Sequence, residues 1–238
     1  WNMPNWFLRR EMVARVEELD SVELRTDAGV ASVLTRESEA RVRLTDGTSV
    51  RCKLLIGADG RGSTVREAVG IPVTTTRYGQ KALAFAVTHP GPHQNGWTEI
   101  HRSGGPFTLV PLPDHEGKPC SAIVWMEGGA EAQRLAALPV AAFEAEMTAR
   151  SCGIMGPLTL VSRRTIWPLI SQLAARMSAE RTALMAEAAH VVPPIGAHGL
   201  NMSLAELPAL LDLAPAAPAP PGDPAMLAPH HSPRPAHS

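Results

Sequence analysis

Two stretches of this sequence combine residue types that can do chemistry. The first, LLIGADGRGSTVREAVGI from Leu54 to Ile71, is an apolar run that stops at Gly-Ala-Asp-Gly and resumes after Ser63 as helix-compatible residues. A strand that ends this way brings backbone and a carboxylate to the C-terminal edge of a parallel sheet, where open α/β sheets bind ligands. Gly57 and Gly60 allow close backbone approach, and Asp59 can accept hydrogen bonds from a ribose or from backbone. Ser63 is placed as the N-cap of a helix whose start can face a phosphate. Gly, Asp and Ser are also ordinary turn residues, so the same stretch reads equally as a plain strand–turn–helix connection.

The second stretch is ALMAEAAHVVPPIGAHGLN, Ala183 to Asn201. Propensity favours a helix through its first half, since Ala, Leu, Met and Glu are strong helix formers. Motif logic favours a strand at Thr182–Ala186, a turn carrying Glu187 to Ala197, and a helix beginning near Gly199; with the first stretch in view, this is the expectation. A Gly-rich turn at a helix start offers unpaired N–H groups and the positive end of a dipole. His190 is read as a packing or hydrogen-bonding residue rather than a catalytic base, because a base needs an oriented partner.

The elements that must position these stretches follow from periodicity. Pro4 opens a helix with Leu8, Met12, Val16 and Leu19 on one stripe. Strands are predicted at Val22–Thr26, Val30–Glu37, Ala40–Leu44 and Val50–Ile56, with an Asp-Gly hairpin turn at Thr45–Thr48. A short helix spans Ser63–Val69. Strands at Leu83–Thr88, Trp97–His101, Phe107–Leu112 and Ser121–Met126, separated by Pro and Gly clusters, predict an antiparallel sheet. A helix at Val140–Arg150, a strand at Leu158–Ile166 and a helix at Asn201–Leu213 complete the pattern. Ala214–Ser238, rich in Ala, Pro and His, is predicted to be disordered, and His230, His231 and His237 in it to be solvated rather than metal ligands.

Composition narrows the function classes. The chain has 238 residues, 45% hydrophobic and 19% charged, enough to bury a sizeable core. Its net charge of -1 gives no footprint for nucleic acid, which leaves small molecules or proteins as partners. Three scattered cysteines without a C-x-x-C argue against a disulfide framework and a zinc site. No apolar run reaches a membrane span and no signal peptide is evident, so a cytoplasmic location is expected.

GADGRGSTVR resembles the G-A-D-G-x-x-S-x-V-R motif of the class A flavoprotein aromatic hydroxylases, the family that includes para-hydroxybenzoate hydroxylase and the hydroxylases of ubiquinone biosynthesis. A second motif of that family, R-x-x-L-x-G-D-A-A-H-x-x-x-P-x-x-G-x-G-x-N, is echoed in order by Arg181, Leu184, Ala186, Glu187, Ala188, Ala189, His190, Pro194, Gly196, Gly199 and Asn201. MPNWFLRREM is similar to the family's early FAD-contacting helix, with Asn5 and Leu8 at matching places. GGPFTLVPLP and RTIWPL resemble the substrate-side sheet and the strand that returns from it.

The resemblance implies an α/β (α+β) fold, a partial FAD/NAD(P)-binding Rossmann-like domain with an inserted antiparallel β-sheet substrate domain. It divides the chain at 1–71, 72–168 and 169–213, with 214–238 as tail. It implies FAD as cofactor and NAD(P)H as co-substrate, with Asp59, Gly60, Arg66, Glu187, Gly196, Gly199, Leu200, Asn201 and Asn5 binding cofactor and Pro193 and Pro194 lining the flavin face. The implied activity is hydroxylation of a small aromatic or phenolic substrate with O2 through a flavin C4a-hydroperoxide. A polyprenylated substrate would add a peripheral membrane or protein partner.

Two departures stand out. The family's Gly-Asp is Ala186-Glu187, and no G-x-G-x-x-G occurs, so the chain is expected to be partial and to lack the N-terminal ADP-binding unit. The rival expectations are a truncated remnant or interaction module that binds no FAD, and a reductase of the same fold.

Overall fold

The computed structural model describes residues 3–102, 104–194, 198–216 and 220–230. In chain order the elements are α1 (Asn5–Glu17), β1 (Val30–Arg36), β2 (Glu39–Leu44), β3 (Ser49–Cys52), β4 (Leu55–Gly57), α2 (Thr64–Ala68), β5 (Val73–Thr88), β6 (Thr98–Arg102), β7 (Gly105–His115), β8 (Lys118–Gly128), α3 (Gly129–Ala137), α4 (Val140–Arg150), β9 (Thr159–Leu160), β10 (Thr165–Ala174), β11 (Ser178–Ala179), β12 (Thr182–Leu184), β13 (His190–Val191), α5 (His198–Ala216) and α6 (Pro224–Leu227). This is a mixed α/β fold in which β4 and β12 pair in parallel, whereas the pairs β1–β2, β2–β3, β5–β8, β5–β9, β6–β7, β7–β8, β10–β13 and β11–β12 are antiparallel. The chain divides into two compact units, Trp1–Leu24 with Arg77–Leu169 and Arg25–Thr76 with Ile170–Ser238.

The first unit is built on a sheet. β5 pairs with β8 from Gln80↔Gly128 to Thr88↔Cys120, β8 with β7, β7 with β6, and β9 joins the end of β5. Strand alternation sends Leu83, Phe85, Val87, Phe107, Leu109, Ile123 and Trp125 to one face. There they meet Ala132 and Leu135 of α3 and Phe143 and Met147 of α4, pairs spaced three and four residues apart on their helices. The Phe85 and Phe143 rings meet edge to face at 5.0 Å, the favoured arrangement for aromatic pairs. The opposite face carries Ala84, Thr108, Val110 and Val124, all half-buried.

α4 has the predicted bounds, whereas α3 has no counterpart among the expected elements. Its start is a Gly pair, which reads as loop punctuation, yet Gly128 is the N-cap. The strand expected at Leu158–Ile166 is two strands, β9 and β10, separated by residues 161–164. Helix α1 forms where expected behind Pro4, but none of its residues is buried. The strand expected at Val22–Thr26 does not form: Val22 and Leu24 alternate correctly, but both are exposed, and no strand pairs with them among the described residues.

The second unit holds a three-stranded antiparallel meander, β1-β2-β3, and a second small sheet, β11-β12-β4. The predicted Asp-Gly turn joins β2 to β3: Asp46 accepts hydrogen bonds from the amide and hydroxyl of Thr48, and Gly47 has φ 87°. The single strand expected at Val50–Ile56 is divided, β3 closing the meander and β4 joining β12. One apolar run thus serves two sheets, which periodicity alone does not reveal.

Residues 214–238, expected to be disordered, are structured in part. α5 continues to Ala216, and Asp223 caps α6, whose Met226 and Leu227 pack with Ala183, Met185 and Leu210. Composition hid this because two apolar side chains suffice to anchor a Pro-rich segment. Gly222 has φ 82°, and a Cβ there would fall 2.1 Å from the Lys53 carbonyl oxygen.

Candidate functional site

β4 and β12 run parallel, register Thr182↔Leu55 to Leu184↔Gly57, so both motif strands end on the same edge. The Met185 amide donates to the Gly57 carbonyl at 2.9 Å and continues the pairing. Gly57 is required by packing: a Cβ there would lie 2.9 Å from both Leu184 Cδ2 and Val65 Cγ1. Helix α2 therefore sits directly on the strand, the close helix–strand approach that the Gly-rich turn of such folds provides.

Asp59 is exposed, and its carboxylate closes the turn on itself. It accepts from the Ser63 hydroxyl and, at 3.0 Å, from the Val65 amide. Ser63 is the N-cap as predicted, accepting from the Arg66 amide. Arg66 is 4% exposed. Its Nη1 donates to the Ala188 carbonyl at 2.9 Å and its Nη2 to the Arg61 carbonyl at 3.0 Å, so it ties the two motif turns together.

The unbroken helix does not occur: a strand and a helix form as expected, but the strand ends at Leu184, a further short strand lies within the span expected as turn, and residues 195–197 of that span lie outside the described residues. β12 passes through extended Met185 into a single 3-10 turn at Ala186–Ala188, then β13. Glu187 is exposed on that turn and makes no hydrogen bond or ion pair with the other described residues. Ala186 has φ 52°, left-handed backbone that favours glycine. The family's glycine thus has a conformational reason, and the alanine here is strained by about 1 kcal/mol. Ala186→Gly should raise stability by about that amount in a chemical denaturation series; an unchanged midpoint would show the strain to be relieved elsewhere.

Glu206 of α5 fixes this turn. Its Oε2 accepts from the Ala186 amide at 2.9 Å, and its Oε1 is hydrogen-bonded to Nε2 of the buried His190. Burial pushes the carboxyl up, but hydrogen bonds from His190 and Ala186, with the charges of His190 and His230, outweigh it and hold Glu206 below its ordinary value. A depressed folded-state pKa contributes stability that is present above the unfolded value and lost as pH falls through the folded one. The chain should therefore lose stability on acidification below about pH 4.3, and Glu206→Gln should flatten that part of the profile. An unaltered slope would rule Glu206 out as its source.

Of the other residues predicted for the site, Pro193 is half-buried and Pro194 exposed, just beyond β13. Gly196 lies outside the described residues. Gly199, Leu200 and Asn201 are exposed in the first turn of α5. Asn5 is exposed on α1 and belongs to the other unit. The structure adds Glu206, for which α5 gives no local signal, and changes the reading of Arg181. Arg181 is 7% exposed and donates to the carbonyls of Glu37 and Pro221, which makes it an internal tie.

Solved structures place this arrangement in a class. The chain is similar to PqsL of P. aeruginosa in complex with 2-aminobenzoylacetate, with a TM-score of 0.74 and 23% identity over 94% of this chain and 64% of that one. It is also similar to the flavin-dependent monooxygenase PieE in complex with FAD and substrate, with a TM-score of 0.67 and 22% identity over 89% and 41%. The fold is that of flavin-dependent monooxygenases.

The chain belongs to the FAD binding domain family, whose profile matches residues 2–212. Among curated proteins it is 34% identical to the ubiquinone hydroxylase UbiL of Rhodospirillum rubrum, over 94% of this chain and 52% of that protein. It is 26% identical to the 3-demethoxyubiquinol 3-hydroxylase of Escherichia coli, over 88% and 52%. The human ubiquinone biosynthesis monooxygenase COQ6 is 28% identical over 71% and 42%. The chain spans about half the length of these relatives. Among the described residues no helix is long and apolar enough to cross a membrane.

Proposed function

We propose that this chain is the flavin-holding part of an FAD-dependent monooxygenase that hydroxylates an aromatic or phenolic ring with NAD(P)H and O2, as in ubiquinone biosynthesis. The observation that carries the reading is Glu187: an exposed carboxylate with no partner among the described residues, on a turn fixed from one side by Arg66 and from the other by Glu206. Fixing the backbone while leaving the carboxylate uncommitted is what a ligand-binding group requires.

The residues fit FAD by their donor and acceptor chemistry. Glu187 would accept from the ribityl hydroxyls. The first-turn amides of α5, at Gly199 to Asn201, would donate to the flavin's pyrimidine carbonyls and favour the negative charge of its reduced form. Pro193 and Pro194 would line the reacting face without competing donors, and Asp59 and Gly60 would shape the neighbouring turn. Arg66 acts through the backbone it holds, because its guanidinium is committed to two carbonyls. FAD, when bound, supplies the redox and oxygen chemistry; the protein's side chains orient it and exclude water. The relatives' names support a polyprenylated ring as substrate, which would call for a membrane surface or protein partner at delivery.

The test is a titration of the purified chain with FAD, read by flavin fluorescence and visible absorption. The expected result is quenched emission with a perturbed band, and affinity about tenfold weaker in Glu187→Ala, the loss of one charge-assisted hydrogen bond. A spectrum identical to free FAD would sink the proposal and support the non-binding remnant. NAD(P)H oxidation without product hydroxylation would assign the reductase instead.

A further inference from the structure

The second unit has a cleft of about 590 Å³ that none of the residues matched to the flavin lines. Its walls include the apolar side chains of Val69, Ala179 and Leu227, and Arg176 and Glu180 are its charged groups. The Nε of Arg176 is buried and makes no hydrogen bond. That nitrogen is shut off from solvent, so a ligand in the cleft would be met by the Nη end of the guanidinium. The wall from Pro224 to Ala228 lies beyond the residues matched by the family profile, and the rest of the lining lies within them.

We infer that this cleft is a binding site for a small amphipathic monocarboxylate, independent of the flavin site. The volume lies in the range of small-molecule pockets, which combine mostly apolar walls with few polar groups. Arg176 offers the planar donor fork that pairs with a carboxylate. Glu180 also lines the cleft and repels a second negative charge, so a dianion is disfavoured. Val69, Ala179 and Leu227 then cover an aliphatic body.

The probe is octanoate, followed by isothermal titration calorimetry on the folded, flavin-free chain. The expected result is saturable binding, about tenfold or more weaker in Arg176→Met, a substitution that keeps the apolar stem and removes the fork. Inorganic phosphate should not bind, and 1-octanol should bind about tenfold or more weaker than octanoate. Ala228→Phe, at an exposed position on the rim, should block octanoate without disturbing the core, and so provides a test if Arg176→Met fails to fold. No octanoate binding, equal binding by either variant, or binding of phosphate in place of octanoate would each overturn the assignment.

Discussion

Arg66→Met should destabilise the fold by about 3 kcal/mol, the upper range for hydrogen bonds to a charged group, because two carbonyls lose their donors together. The side chain is nearly fully buried, so water cannot readily replace the guanidinium at Ala188 or Arg61. Methionine fills a similar volume, which separates the lost hydrogen bonds from a cavity effect. Arg66→Lys keeps the charge but not the fork, and should recover only part of the loss. Urea denaturation of the three proteins decides it. A Met variant within 1 kcal/mol of the parent would mean that the two turns are held by something else. Because Arg66 fixes the backbone beside Glu187, flavin affinity should fall with stability.

Gly57→Val is the second large effect, with an expected loss of about 2 kcal/mol. Two terms oppose each other. A β-branched residue is favoured in a strand, but that preference spans about 1 kcal/mol at most. Against it, the first added carbon would sit 2.9 Å from Leu184 and from Val65, and overpacking of this kind costs about 1–3 kcal/mol before the two further methyls of valine are counted. The clash should win, and Gly57→Ala should show a smaller loss in the same direction. Thermal melts of the two variants, read by circular dichroism, test the ordering. A valine variant as stable as the parent would show that α2 can move off the strand cheaply.

The contrast between these two positions shows what the sequence made legible. Gly57 could be read in advance: an apolar run stopped by Gly-Ala-Asp-Gly ahead of a Ser N-cap is a local pattern, and helix α2, β4 and the Ser63 cap form where that pattern puts them. Arg66 could be placed at the site but not given its work, because its partner Ala188 lies 122 residues away and is a backbone carbonyl. Glu206 was missed for the same reason. It sits in an ordinary Ala- and Leu-rich helix, and nothing local marks it as the acceptor for the Ala186 amide and His190.

Errors in the element assignment also have physical sources. The segments expected as single strands at Val50–Ile56 and Leu158–Ile166 are each divided, at Lys53–Leu54 and at residues 161–164; in the first, the two halves pair with different neighbours, β2 and β12. Val22–Thr26 shows another case, correct alternation without a partner strand among the described residues. In the second motif propensity and pattern disagreed, and the pattern won because Thr182–Leu184 gains a parallel neighbour in β4 that an isolated helix would forgo.

The packing of Met226 and Leu227 also changes where this protein can be cut. Composition suggests trimming after Leu213, where the Pro- and Ala-rich stretch begins. That boundary would strip the cover from Ala183 and Met185, the strand that leads into the Glu187 turn, and would leave Arg181 with one fewer carbonyl to hold. The stretch that looks most like a linker is therefore a poor place for a fusion tag or protease site.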